Sequence, residues 1–149
     1  MIISRVAERG DPAFYVKGGI VNRPVVKKIL IIDDEKEFCF FIKKNLEKSR
    51  NFKVYTCWNS QVGIELIKEL RPDIILLDIV MPRVSGQEIV AYLKKEDACK
   101  HIPVIYLTAL VTPKETHSIK YFSGDVRVVA KPAPMSVLLP IIDQTIRQN

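Results

Sequence analysis

The sequence has few cysteines, no long apolar segment and no internal repeats, and each of these absences excludes a class of protein. Its 149 residues include three cysteines, which are Cys39, Cys57 and Cys99. Their scattered positions form neither a disulfide framework nor a metal-binding spacing, which suits a reducing compartment. No segment approaches the ~18 apolar residues of a membrane span, and the N-terminus lacks the apolar segment of a signal peptide. We therefore expect a cytoplasmic protein that makes no membrane contact.

Composition and charge describe an ordinary soluble domain with a basic N-terminal segment. Apolar residues make up 48% of the chain and charged residues 27%, and the net charge is +6. Residues 1–28 contain six basic and two acidic side chains, so most of the excess positive charge lies there. Because the basic residues lie mainly outside the predicted folded unit, binding to nucleic acid through this segment is the weaker interpretation.

Residues 1–26 show no sustained hydrophobic period and contain several glycines and prolines. We expect a loosely ordered extension with a short strand at 13–16 or 20–21. The folded domain is expected at 27–149. Strands are predicted at 29–32, 52–57, 74–78, 103–108 and 126–130; helices are predicted at 35–49, 60–70, 86–96 and 113–122, and a last helix runs to about 147.

Five alternating strand and helix units predict an α/β fold with a parallel sheet and helices on both faces. The flavodoxin-like strand order 2-1-3-4-5 is the best match for a chain of this kind. The run Ile-Ile-Leu-Leu before Asp78 is typical of a strand buried on both faces. Ser60 is a candidate N-cap for the second helix.

Polar residues occur where the predicted strands end. Asp33 and Asp34 follow the first strand, Asp78 ends the third, Thr108 ends the fourth and Lys131 follows the fifth. The carboxyl ends of parallel strands share one edge, so three carboxylates converge there and repel each other unless a cation lies among them. Oxygen ligands at an open cleft suit Mg²⁺. A carboxylate, a metal site, a lysine and a hydroxyl together indicate phosphoryl transfer, with the carboxylate as acceptor.

Taken singly, each residue has a simpler interpretation. Asp33 or Asp34 could cap the first helix, Thr108 could be an ordinary strand residue, and Lys131 could be a surface lysine. Asp78 is harder to explain in this way, because an aspartate rarely follows four buried apolar residues.

The segment from 27 to 147 resembles the receiver domain of bacterial two-component response regulators. The resemblance rests on Ile-Ile-Asp33-Asp34-Glu-Lys-Glu-Phe, on Leu-Leu-Asp78-Ile-Val-Met-Pro with Gly86 four residues later, on Leu-Thr108-Ala and on Lys131-Pro. It implies that the protein is not an enzyme beyond catalysing its own phosphorylation and dephosphorylation. It also implies a partner, which would be a sensor histidine kinase or a histidine phosphotransfer protein.

The resemblance assigns roles to the residues that match it. Asp78 would accept the phosphoryl group, and Thr108 and Lys131 would contact its oxygens. Asp34, Asp78 and the backbone carbonyl of Val80 would bind Mg²⁺ directly, with Asp33 acting largely through water. Movement of Thr108 would change the face formed by strand 4, helix 4 and strand 5, which would signal to an unknown downstream protein or a second copy of the chain.

Three residues depart from the family pattern. Val128 occupies a position that is usually Tyr or Phe, and Ala133 follows Lys-Pro where Phe is common. Pro140 lies within the last predicted helix, so either Ser136 caps a helix that starts late or the helix kinks. An adaptor that binds its partner independently of phosphorylation is therefore the alternative function. A phosphatase with an aspartyl nucleophile is disfavoured, because Val80 stands where its second acid would lie. Since the sequence ends at Asn149, soon after the last helix, we expect a stand-alone receiver.

Overall fold

The computed structural model describes residues 25–109 and 127–148, together with the backbone of 13–16 and 19–22. Its central feature is a five-stranded parallel sheet. The sheet strands are β3 (Lys27–Ile32), β4 (Phe52–Cys57), β5 (Ile74–Asp78), β6 (Val104–Thr108) and β7 (Arg127–Ala130); β1 (Ala13–Val16) and β2 (Gly19–Asn22) form a separate antiparallel hairpin. The helices are α1 (Lys36–Ser49), α2 (Gly63–Leu70), α3 (Gly86–Leu93) and α4 (Met135–Arg147), and a 3₁₀ turn at Ser60–Val62 precedes α2.

The strand order confirms the predicted topology. The order across the sheet is β4-β3-β5-β6-β7, which is 2-1-3-4-5 when β3 is counted as the first strand. The α/β fold of the flavodoxin-like type is therefore present. The predicted helix at 113–122 lies outside the described residues, as does most of the predicted extension.

The two faces of the sheet bury separate apolar layers. Ile29 and Ile31 of β3 pack with α1 and α4, whereas Leu30 and Ile32 pack on the opposite face with α2 and α3. All four side chains are completely buried. A strand covered on both faces has no solvent-facing positions, which explains why its sequence is a continuous apolar run without alternation.

Two local predictions about helix starts are corrected by the structure. Asn59, not Ser60, caps the 3₁₀ turn before α2, because its side chain accepts a hydrogen bond from the backbone N–H of Gln61. Ser60 is buried, and its hydroxyl instead donates to the carbonyl oxygen of Pro82 at 2.8 Å. The hydrogen bond of Ser60 to the loop at Pro82 therefore replaces the capping hydrogen bond that was predicted.

The last helix starts earlier than a Ser136 cap would allow. It begins at Met135 after Pro134, so Pro140 lies in its second turn. Pro140 is on the exposed face of α4, and its missing N–H leaves the Ser136 carbonyl without the usual helical partner. No helix in the described part of the chain is both long and apolar enough to cross a membrane.

Candidate functional site

The register of the sheet brings the predicted residues to one edge. Ile32 is paired with Leu77, and Asp78 with Leu107, so Asp33 and Asp78 emerge from adjacent strands. Thr108 is paired with Ala130, which places Lys131 next to it. Because all four strands are parallel, these residues share the carboxyl edge of the sheet.

Three carboxylates meet at this edge. Asp33, Asp34 and Asp78 each place a carboxylate oxygen within 4.8 Å of the others. Asp33 and Asp78 are buried, and Asp34 is exposed. Asp33 Oδ1 accepts from the backbone N–H of Glu35 at 3.0 Å. Its other oxygen, Oδ2, is buried and lacks a hydrogen bond of ordinary geometry. A close set of oxygen donors with one member open to solvent fits Mg²⁺, which prefers oxygen ligands and retains water.

Lys131 supplies the positive charge beside these carboxylates. Its Nζ lies 2.7 Å from Asp33 Oδ2, 2.7 Å from Glu35 Oε1 and 3.5 Å from Asp78 Oδ2. The same atom lies 4.5 Å from the centre of the Phe38 ring. Only 8% of the Lys131 side chain is exposed, so these interactions are weakly screened by solvent. The interpretation of Lys131 as a simple surface lysine is therefore wrong.

Burial and charge act in opposite directions on these groups. Burial raises the pKa of both Asp33 and Asp78 above the ordinary value, although Lys131 partly offsets this. Burial alone would lower the pKa of Lys131, but its ion pairs with Asp33 and Glu35 outweigh burial and raise that pKa to about 12. The lysine thus stays charged, while the two buried carboxylates remain only partly compensated.

The loop after Asp78 is held by short-range contacts. The backbone N–H of Val80 donates to Asp78 Oδ1 at 3.4 Å, and the N–H of Gly86 donates to the carbonyl oxygen of Ile79 at 3.0 Å. The Ser60 hydroxyl bridges to this loop, since it donates to Pro82 and accepts from the N–H of Val84 at 3.3 Å. The chain beyond Asp78 is thereby held against Ser60 and the start of α3. Val80, two residues after Asp78, is exposed.

Thr108 and Lys131 are connected through the backbone. The N–H of Lys131 donates to the carbonyl oxygen of Thr108 at 2.8 Å. Thr108 is almost completely buried at the end of β6. The structure therefore places Thr108 at the same edge as the carboxylates.

Sequence reasoning overlooked two residues of this site. Glu35 and Phe38 have no predicted site role beyond their place in the first predicted helix and the matched motif, yet both contact the Lys131 ammonium. A third consecutive acidic residue after Asp33 and Asp34 was the available signal for Glu35. Nothing in the sequence signalled the contact of Phe38, because it depends on where α1 packs on the sheet.

Two of the three atypical residues, Val128 and Ala133, lie on β7 or just after Lys131. Val128 is half-buried on β7 and is paired in register with Tyr106 of β6. Tyr106 is one of the largest fully buried side chains. Ala133 is also buried and packs in the layer beneath α1 and α4. Neither position carries an aromatic ring next to Lys131, and the ring that does contact its ammonium belongs to Phe38.

A sequence model of the response regulator receiver domain matches residues 29–143 of the chain. The chain is 33% identical over 110 residues to a probable cyclic di-GMP phosphodiesterase of Vibrio cholerae, which covers 74% of this chain and 24% of that protein. It is 32% identical over 106 residues to the polar-differentiation response regulator DivK of Brucella anthropi, which covers 71% of this chain and 85% of that protein. The receiver domain of the Francisella response regulator 1452 superimposes with a TM-score of 0.69 at 24% identity, over 82% of this chain and 98% of that one. The chain thus spans about a quarter of the first relative and most of the second.

Proposed function

The chain belongs to the response regulator receiver family of two-component signalling, and we propose that Asp78 is its phosphoryl acceptor. The observation that carries this proposal is the position of Asp78, which is buried at the end of the central strand between two further carboxylates and the Lys131 ammonium. A buried carboxylate with a raised pKa and an incomplete set of counter-charges is typical of a functional site.

Mg²⁺ is the cofactor that this donor set fits. Asp34, Asp78 and the backbone carbonyl of Val80 would hold it, with Asp33 contributing largely through water. The close approach of the three carboxylates supports this assignment, because the single charge of Lys131 offsets their mutual repulsion only in part. When bound, the ion would neutralise charge on the transferring phosphoryl group.

The reaction is a transfer between partners. A carboxylate oxygen of Asp78 attacks phosphorus, the bond from phosphorus to the donor breaks, and the leaving group retains the bonding electrons. The donor is a phosphohistidine of a sensor histidine kinase or histidine phosphotransfer protein. Lys131, fixed near Asp78, and Thr108 would bind the phosphoryl oxygens. Positioning and charge neutralisation supply most of the rate in such transfers.

Phosphorylation would change the surface that contains β6 and β7. The new charge on Asp78 draws Thr108 and Lys131 inward, and the backbone hydrogen bond between those two residues makes the ends of β6 and β7 respond together. A downstream protein or a second copy of the chain would bind there. We also propose that the receiver domain covers 27–149 and that residues 1–26 are a separate extension.

Intact-mass measurement after incubation with acetyl phosphate and Mg²⁺ tests the proposal. We expect one acid-labile phosphoryl adduct on the wild type and none on Asp78→Asn, with Asp73→Asn as the matched control that still reacts. A wild type without an adduct would overturn the proposal. The adaptor alternative predicts that partner affinity is the same with and without beryllofluoride, which mimics the phosphoryl group.

A further inference from the structure

The Lys131 ammonium already has two close carboxylate partners before any phosphoryl group arrives. An ammonium has three N–H donors. Asp33 Oδ2 and Glu35 Oε1 each lie 2.7 Å from Nζ, Asp78 Oδ2 lies 3.5 Å away, and the centre of the Phe38 ring lies 4.5 Å away. A phosphoryl oxygen on Asp78 that approaches this ammonium therefore competes with two carboxylates that already lie closer to it.

The two close partners differ sharply in their ability to leave. Asp33 is 1% exposed and is held by the backbone N–H of Glu35, so separating it from Lys131 would strand a buried charge. The Glu35 side chain is 62% exposed, so its carboxylate is solvated by water when it separates from Lys131. An ion pair with one exposed partner contributes little net stability. Glu35 is therefore the partner that can exchange.

We propose that Glu35 is a displaceable anion that occupies Lys131 in the unphosphorylated protein and competes with the phosphoryl group for it. This inference rests on the proposed function and adds a residue that sets how readily the site is filled. Asp33 fixes the position of Lys131, and Glu35 holds the place that a phosphoryl oxygen takes. Phosphorylation then exchanges one anion for another at the same ammonium, so no net desolvation of Lys131 is required.

The side chain of Glu35 can be changed without removing a contact that starts α1. Glu35 is the N-cap residue of α1, but its side chain makes no capping hydrogen bond. Replacing the carboxylate with an amide therefore removes the charge without removing a cap. Glu37 is the matched control, since it is an exposed acidic residue in the first turn of the same helix and makes no ion pair in the part of the chain that the structure describes.

The test compares Glu35→Gln with Glu37→Gln at saturating Mg²⁺. We expect Glu35→Gln to bind beryllofluoride about two- to fivefold more tightly than Glu37→Gln, the scale of a partly exposed ion pair. Both variants lose one negative charge at the start of α1, so the difference between them reports the direct contact of Glu35 with Lys131. The initial rate of phosphorylation by acetyl phosphate should rise in the same order.

Three outcomes are informative. Tighter binding by Glu35→Gln than by Glu37→Gln supports the competition. Equal binding by the two variants, or weaker binding by Glu35→Gln, overturns it while leaving Asp78 as the acceptor. A wild type that does not bind beryllofluoride at all would overturn the proposed function, and the role of Glu35 with it.

Discussion

Gly86 and the carbonyl oxygen of Asp78 are so close that no side chain fits between them. A Cβ atom on Gly86 would lie 2.2 Å from that oxygen and 3.1 Å from the Cα of Ile79. Both are backbone atoms that cannot rotate away. The first residue of α3 is thus pressed against the strand end that carries Asp78, and this contact helps to fix the direction in which the chain leaves the strand.

Gly86→Ala should destabilise the protein and weaken Mg²⁺ binding. The added methyl forces the backbone after Asp78 to move, at a cost of about 1–3 kcal/mol in the free energy of unfolding. Gly63→Ala is the control, because its Cβ would lie 3.2 Å from the end of the flexible Ile32 side chain. Urea unfolding of the two variants measures the difference. An equal loss in the free energy of unfolding in both variants would show that the close contact between Gly86 and Asp78 does not destabilise Gly86→Ala.

Asp78→Asn should raise the free energy of unfolding at neutral pH without Mg²⁺. Because burial raises the pKa of Asp78 in the folded state, the ionised form opposes folding once the pH exceeds its ordinary value. The gain, on the order of 1 kcal/mol, should be largest at neutral pH and vanish in acid, where both states are protonated. Asp97→Asn, at a residue whose side chain is 92% exposed, should change little. Urea unfolding of both variants at several pH values measures this, and a lower stability of Asp78→Asn at neutral pH would contradict the prediction.

Mg²⁺ should stabilise the wild type against heat. Binding only to the folded state adds about 1.4 kcal/mol when the free ion is at ten times its Kd. Asp34→Asn should abolish most of this shift, because it removes a proposed ligand that is exposed and not needed for packing. A thermal unfolding series with increasing Mg²⁺ measures the effect. An undiminished shift in Asp34→Asn would place the ion elsewhere.

The three cysteines should be unreactive in the folded protein. All are buried, and burial, followed by the charge of Asp33, raises the pKa of Cys39 to about 12. Burial also raises the pKa of Cys57. Since the thiolate is the reactive form, a thiol reagent should modify none within minutes in buffer and three in denaturant. Ser49→Cys, at an exposed position, should add one fast thiol. Rapid modification of the wild type would contradict the burial described.

Pro140→Ala should stabilise α4. The substitution restores an N–H that can donate to the carbonyl oxygen of Ser136 and removes a ring clash, so we expect a gain of about 1–3 kcal/mol in the free energy of unfolding. Pro134→Ala, at the N-cap, should have a smaller effect, since no helical bond is missing there. Chemical denaturation measures both. A loss of stability in Pro140→Ala would indicate that the ring itself packs usefully.

The fold and most of the site were predictable because they depend on local sequence. Continuous apolar strands, alternating with helical periods, determined a parallel sheet, and the parallel sheet alone required Asp33, Asp78, Thr108 and Lys131 to share an edge. The Ser60 prediction failed for the opposite reason. A capping preference depends on neighbouring residues in the chain. The Ser60 hydroxyl instead donates to the carbonyl oxygen of Pro82, which is distant in sequence.

What the sequence determined by itself is the order of the strands and the identity of the residues at their carboxyl ends. Only the tertiary structure decided which side chains contact the Lys131 ammonium. Its contacts with Glu35 and with the Phe38 ring join residues almost a hundred positions apart in the chain. They depend on how α1 is seated on the sheet, and that arrangement comes from the packing of many side chains at once, which no local pattern in the sequence encodes.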